Sequence, residues 1–132
     1  MVVTSACSSS KTPHNKGDIT ESEWGLISIV AKNSAQALVP DKNNIPTLEV
    51  SSKGTIHGTT GCNSFEGEVA ITGYSLKFGN IIATHVKCPN IDIENALYNL
   101  LDSIDNYTVE RGHLLLKKGN KVFATFMSMD VR

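Results

Sequence analysis

The stretch "HGTTGCNSFEGEV", residues 57–69, gathers three glycines, two threonines, a cysteine and an aromatic ring into thirteen positions. Four chemistries use such residues: a phosphate cradle, a reactive thiol, a metal knuckle, or a tight turn closed by a disulfide. A cradle needs backbone N–H groups at a helix start and a Lys-Ser or Lys-Thr pair closing the loop. No such pair follows Gly61, no G-x-G-x-x-G string exists, and no helix is predicted to begin there. A G-x-S-x-G elbow is also missing, so nothing fixes a serine beside a histidine and an acid.

The thiol chemistries are stronger. In the folded region Cys62 has one candidate partner, Cys88, and each has a histidine close by in sequence, His57 and His85. All four are ligand types that zinc accepts. Against zinc, His57 falls inside a predicted strand, Cys62 lies beyond a glycine-rich turn, and no acid is placed to orient either imidazole. The plain alternative is a pair of surface or hydrogen-bonded histidines. A redox pair would read C-x-x-C at a helix start, which this chain lacks. A disulfide is favoured if the chain is exported, because paired cysteines in β-rich domains outside the cytosol are usually bridged.

The elements that would position these residues are mostly strands. Short apolar runs alternate with turn signals from Trp24 onward, predicting strands at 24–30, 47–50, 55–58, 66–72, 75–79, 106–110, 113–117 and 121–127. "SKG", "TGY", "ERGH" and "KGN" supply residues that tolerate φ > 0 and mark four hairpins. One segment differs. Ile93, Leu97, Leu100, Leu101 and Ile104 recur with helical spacing and predict an amphipathic helix packed by its single apolar stripe against the sheet. Asn90 or Asp92 supplies its start and Asp105-Asn106 its end.

The 132 residues make one domain, residues 24–132, preceded by a polar tether over residues 1–23. A net charge of −1 and the short lysine run at Lys117, Lys118 and Lys121 give no electrostatic footprint for nucleic acid. No apolar stretch approaches the roughly 20 residues that span a bilayer. Within the tether, Cys7 follows the small residues Ser5 and Ala6 and precedes serines. This resembles the end of a bacterial lipoprotein signal, in which the cysteine becomes a lipidated N-terminus, although Thr4 stands where an apolar residue is usual.

"GTTGCNSFEGEV", then "LKFGNIIATHVKCP", "ENALYNLL" and "YTVERGHLLLKKGNKVFATF" together closely resemble the META domain of the HslJ type, found in bacterial envelope proteins often built as lipoproteins. The resemblance covers about Trp24 to Phe126. Gly61, Cys62, Asn63, Phe65 and Gly67 fall on the family's first signature, and Thr84 and Cys88 on its second; His85 to Lys87 depart from it. It implies an α+β, mostly β fold: a strongly curved antiparallel sheet, a half-open barrel, wrapped around one helix and similar in shape to lipid-binding pilotin lipoproteins. Within that fold Gly58, Gly61 and Gly67 turn the chain or allow close approach, Asn63 bonds local backbone and Phe65 enters the core.

The resemblance implies a non-enzymatic domain on the periplasmic side of the outer membrane or at the cell surface, with Cys62 and Cys88 bridged. Cys7 would provide a membrane tether, and the domain would contribute to envelope maintenance or to stress and antibiotic tolerance. An alternative is a binding module that holds an acyl chain or apolar peptide between helix and sheet, lined by Phe78, Ile93, Leu97 and Phe126. No metal or other cofactor is expected. The partners expected are a lipid or an envelope protein, and the chain is expected to be a monomer.

Overall fold

A computed structural model describes residues 18–31 and 34–129. Cys7 lies outside the described residues, so its expected lipidation has no structural counterpart here. The strands are β1 (Glu23–Val30), β2 (Ala37–Leu38), β3 (Thr47–Val50), β4 (Thr55–Thr59), β5 (Ser64–Thr72) and β6 (Ser75–Ala83), then β7 (Asn106–Glu110), β8 (His113–Lys118) and β9 (Lys121–Ser128). The helix α1 (Asp92–Ser103) joins β6 to β7.

Apolar residues alternate along the strands and meet across the register. Leu114 faces Phe126 and Leu116 faces Ala124 between β8 and β9, and Val69 faces Phe78 between β5 and β6. All of these are buried, which is the period-two pattern of a sheet with one face on a core. The helical stripe completes that core with Ala96, Leu97, Leu100 and Leu101. Each fully buried side chain of this kind contributes on the order of 1.5–3 kcal/mol before chain entropy opposes it.

Every pairing is antiparallel, and the neighbours run β1-β3-β4-β5-β6-β7-β8-β9 before β9 returns to β1. The sheet therefore curves into a ring. It is most weakly joined between β6 and β7, where Ser75 opposite Asn106 is the registered pair. The helix packs against β6 and β1, which agrees with the half-open sheet around a helix expected from sequence. The four expected hairpins form, and Arg111 and Gly112 both take positive φ (54° and 78°) in the two-residue turn between β7 and β8.

Several features depart from the sequence reading, the short strand β2 among them. The strand expected to end at Gly79 continues to Ala83 through a bulge, with Asn80 at φ 53° and its Nδ2 donating to Glu68 Oε1 at 2.6 Å. A Gly-Asn pair reads as a turn, but here its tolerance of unusual backbone bends a strand instead. A second bulge at Ile27 shifts the inward face of β1 from Leu26 to Ile29. Finally, Ile19 lies within the stretch read as tether, yet it is buried in a short 3-10 turn, and its carbonyl accepts from Trp24 Nε1 at 2.8 Å.

Candidate functional site

The signature begins where β4 runs into a turn that leads to β5. Thr60 N–H donates to Asn63 O at 2.8 Å, Asn63 N–H donates to Thr60 Oγ1 at 2.9 Å, and Gly61 N–H donates to Thr59 Oγ1 at 2.8 Å. These bonds close the turn on itself. Gly61 sits at φ 93°, and a Cβ there would come within 2.9 Å of Asn44 O. Gly58 has a different reason: a Cβ would collide with Thr47 O on the facing strand and reach 2.9 Å from Phe65 Cζ. Gly67 lies opposite the β6 bulge, where a Cβ would stand 2.6 Å from Ile81 Cδ1.

Asn63 is the hub. Its side chain, 3% exposed, leaves the turn and reaches the chain between β6 and α1. Oδ1 accepts from Val86 N–H at 2.6 Å and from Thr84 Oγ1 at 2.8 Å, while Nδ2 donates to Val86 O at 3.1 Å and Glu94 Oε1 at 2.9 Å. The amide thus pairs with Val86 as a strand neighbour's peptide group would, and its capacity for hydrogen bonds is filled. Asn63 was expected to bond local backbone through its side chain. Thr60 takes that role, which frees the Asn63 side chain for residues more than twenty positions away.

Thr84 extends the clamp, its Oγ1 also accepting from Ser64 N–H at 3.1 Å. Glu94, in the first turn of α1, accepts from Thr60 Oγ1 at 2.6 Å as well as from Asn63. Glu94 also stands where an acid is favourable, at the helix N-terminus. Its bonds to Thr60 and Asn63 span 34 and 31 positions and leave no local pattern.

Cys62 and Cys88 form a disulfide with Cα atoms 6.2 Å apart, fastening the same two segments covalently. Both cysteines are half-buried. Sulfurs bonded to each other are not thiolates, so neither the zinc nor the free-thiol alternative holds for this pair. His57 Nε2 lies against Glu49 Oε1 on the neighbouring strand rather than facing Cys62, and the exposed His85 lines a groove elsewhere. Among the described residues, no three His, Cys, Asp or Glu side chains stand close enough to hold a metal.

That groove lies between β6 and α1, with a volume of about 580 Å³ and walls that include Phe78, Ile81, Ala83, Tyr98, Leu101 and Asp102. Of the four residues expected to line an apolar site, Phe78 borders it, Leu97 and Phe126 are buried in the core, and Ile93 is half-buried against that core. Tyr98 was missed by sequence reasoning. Its ring meets Phe65 edge-on at 6.4 Å, and its buried hydroxyl has no hydrogen-bond partner among the described residues. Burial first, and the nearby Glu94 second, push its ionisation above the usual tyrosine range.

The family model described as META domain matches residues 17–130. No curated protein matches the chain. Among solved structures, a protein from Burkholderia xenovorans determined by NMR is similar with TM-score 0.70 and 24% identity, covering 98% of this chain and 100% of its own. A second NMR structure has TM-score 0.62 and 21% identity, over 85% of this chain and 92% of that one. A DUF4847 family protein from Bacteroides vulgatus, seen by crystallography, has TM-score 0.60 and 17% identity, over 83% and 93% respectively. At these identities the likeness is one of fold.

Proposed function

The chain belongs to the META domain family, and from that membership we propose that it serves as a non-enzymatic domain of the bacterial cell envelope. There it contributes to envelope maintenance or to tolerance of stress and antibiotics. The observation that carries this reading is the bridge between half-buried Cys62 and Cys88, since structural disulfides persist outside the reducing cytosol. The bonding among Thr60, Asn63, Thr84 and Glu94 supports an architectural role for the signature rather than a catalytic one. Cys7, if lipidated, anchors the domain to a membrane on the periplasmic side or at the cell surface.

Two measurements test this. Deleting the protein from its source bacterium should sensitise cells to detergent or envelope-active antibiotics, with rescue by the wild type and not by a Cys7→Ser variant. Labelled palmitate should enter the wild type and not that variant. Unchanged tolerance after deletion would overturn the role, and absence of label would overturn the anchor.

A second reading, a binding module, is favoured by the groove between β6 and α1. Its mouth is apolar apart from a few polar groups, the composition expected of a site for an acyl chain or an apolar peptide.

A further inference from the structure

Among the described residues, the edge of β6 that faces the groove has no partner strand beyond its single registered pair with β7. On that side Leu76 N–H donates to Asp105 O, and Ser75 opposite Asn106 is the registered pair. Beyond it the chain turns away into α1 and β7. Strand side chains and peptide groups repeat with a period of two, so Phe78 presents its N–H and C=O to the same side as Leu76. At the far end Thr84 N–H bonds Ser64 O on β5, which directs the Ala83 peptide group to the open side. From Phe78 to Ala83 the edge crosses the bulge at Asn80, so it runs somewhat less than the roughly 17 Å of an unbroken strand and offers its open peptide groups at Phe78 and Ala83, on either side of the bend.

The opposite wall carries two further marks. The Tyr98 hydroxyl is buried at the groove without a partner among the described residues, where a buried donor left unpaired costs free energy. Asp102 sits in the last turn of α1, the negative end of the helix, and α1 carries Asp92, Glu94 and Asp102 but no lysine or arginine. Acid in that position is unfavourable unless a cation approaches; Lys118 Nζ donates to Ser103 O at 3.3 Å at this helix end, yet pairs with that carbonyl and not with Asp102. Among the described residues, no ion pair reaches Asp102 within salt-bridge distance.

We propose that the β6 edge from Phe78 to Ala83 receives an extended peptide, added as a further strand beside α1, with a lysine or arginine of the peptide against Asp102. This rests on the binding-module reading and narrows it. An acyl chain would fill the apolar groove but satisfy neither the edge peptide groups, nor the Tyr98 hydroxyl, nor Asp102. An extended basic peptide answers all three, with main-chain bonds supplying affinity and the charge supplying selectivity.

The test is titration of the ¹⁵N-labelled full chain with a terminally blocked hexapeptide of alternating valine and lysine. Comparison ligands are the two alternately N-methylated forms of that peptide, an alternating valine–glutamate peptide, and sodium myristate. Amide shifts should centre on residues 78–83, Tyr98 and Asp102. One N-methylated form and the glutamate peptide should each bind at least about tenfold more weakly, as should an Ala83→Pro variant, which removes an edge donor from an edge strand. An Asp102→Asn variant should weaken the lysine peptide and not the glutamate peptide. If Ala83→Pro does not fold, the N-methylated peptides on the wild type decide the same point. Binding indifferent to N-methylation, or no binding of the lysine peptide at about 1 mM, overturns the inference. Myristate shifting the groove amides while the peptide does not would remove the inference and leave the binding-module reading standing; silence from both would remove the two together.

Discussion

Asn63 and Glu94 lie 31 positions apart in sequence and are joined by a 2.9 Å hydrogen bond from Nδ2 to Oε1. Through that bond the signature turn grips the first turn of the helix, while the same amide holds both polar groups of the Val86 backbone. The signature is in this sense a clamp that closes the ring's helix onto its strands.

Removing the hub should be costly. Asn63→Ala removes the part-buried hydrogen bonds of its amide to Thr84, Val86 and Glu94, each with a net contribution on the order of 0.5–1.5 kcal/mol. A loss of about 2–4 kcal/mol by urea unfolding is the expected result. In a double-mutant cycle with Glu94→Gln, the two changes should couple by more than about 0.5 kcal/mol.

Two glycines on the β4–β6 side of the sheet should respond in opposite ways. Gly58→Ala forces a Cβ into Thr47 O and Phe65, so it should destabilise by more than about 2 kcal/mol. At Gly79 a Cβ meets nothing within 4 Å and φ is not in the left-handed region, so Gly79→Ala should stay within about 0.5 kcal/mol of the wild type. Thermal melts of both variants check the contrast.

The bridge between Cys62 and Cys88 should stabilise by about 3–4 kcal/mol on the chain-entropy account of its loop. Reduction, or the double change Cys62→Ser with Cys88→Ser, should lower Tm by more than about 10 °C without abolishing the fold. The hydrogen bonds of Asn63 remain in place to hold the same segments. An unchanged Tm would contradict the stabilising role.

Acid should release another fastening. Asp105 accepts from Asn106 Nδ2 at 2.6 Å and from Gly119 N–H at 3.1 Å, and these bonds, led by Asn106, hold its carboxyl below the usual aspartate range. A depressed folded-state value means stability that is present above the unfolded pKa and lost as pH falls through the folded one. The Tm difference between wild type and Asp105→Asn should therefore be constant above about pH 5 and shrink below about pH 4. A difference that grows on acidification would reverse the assigned sign.

Much of this was legible in the sequence because it depends on local periodicity. The stripe Leu97, Leu100 and Leu101 specified the helix, and the alternation through Leu114 and Leu116 specified a half-buried strand. What escaped depends on contacts distant in sequence or on residues with two uses. Gly79-Asn80 serves a turn or a bulge equally well, and only the facing Gly67 and Glu68 on β5 decide between them. Ile19 is one apolar residue in a polar stretch and has no period to betray its burial. Glu94 and Tyr98 take their roles from Thr60, Asn63 and Phe65, which lie on other elements.

The signature is a covalent and hydrogen-bonded clamp, and the proposed envelope location requires that its bridge be closed in the native protein. The most direct test is the intact mass of protein purified from its native host without reductant, after alkylation with and without prior reduction. Cys62 and Cys88 should take up alkylating agent only after reduction. Uptake at both cysteines without reduction would show the bridge absent in the native protein, and would contradict both the clamp and the envelope location it supports.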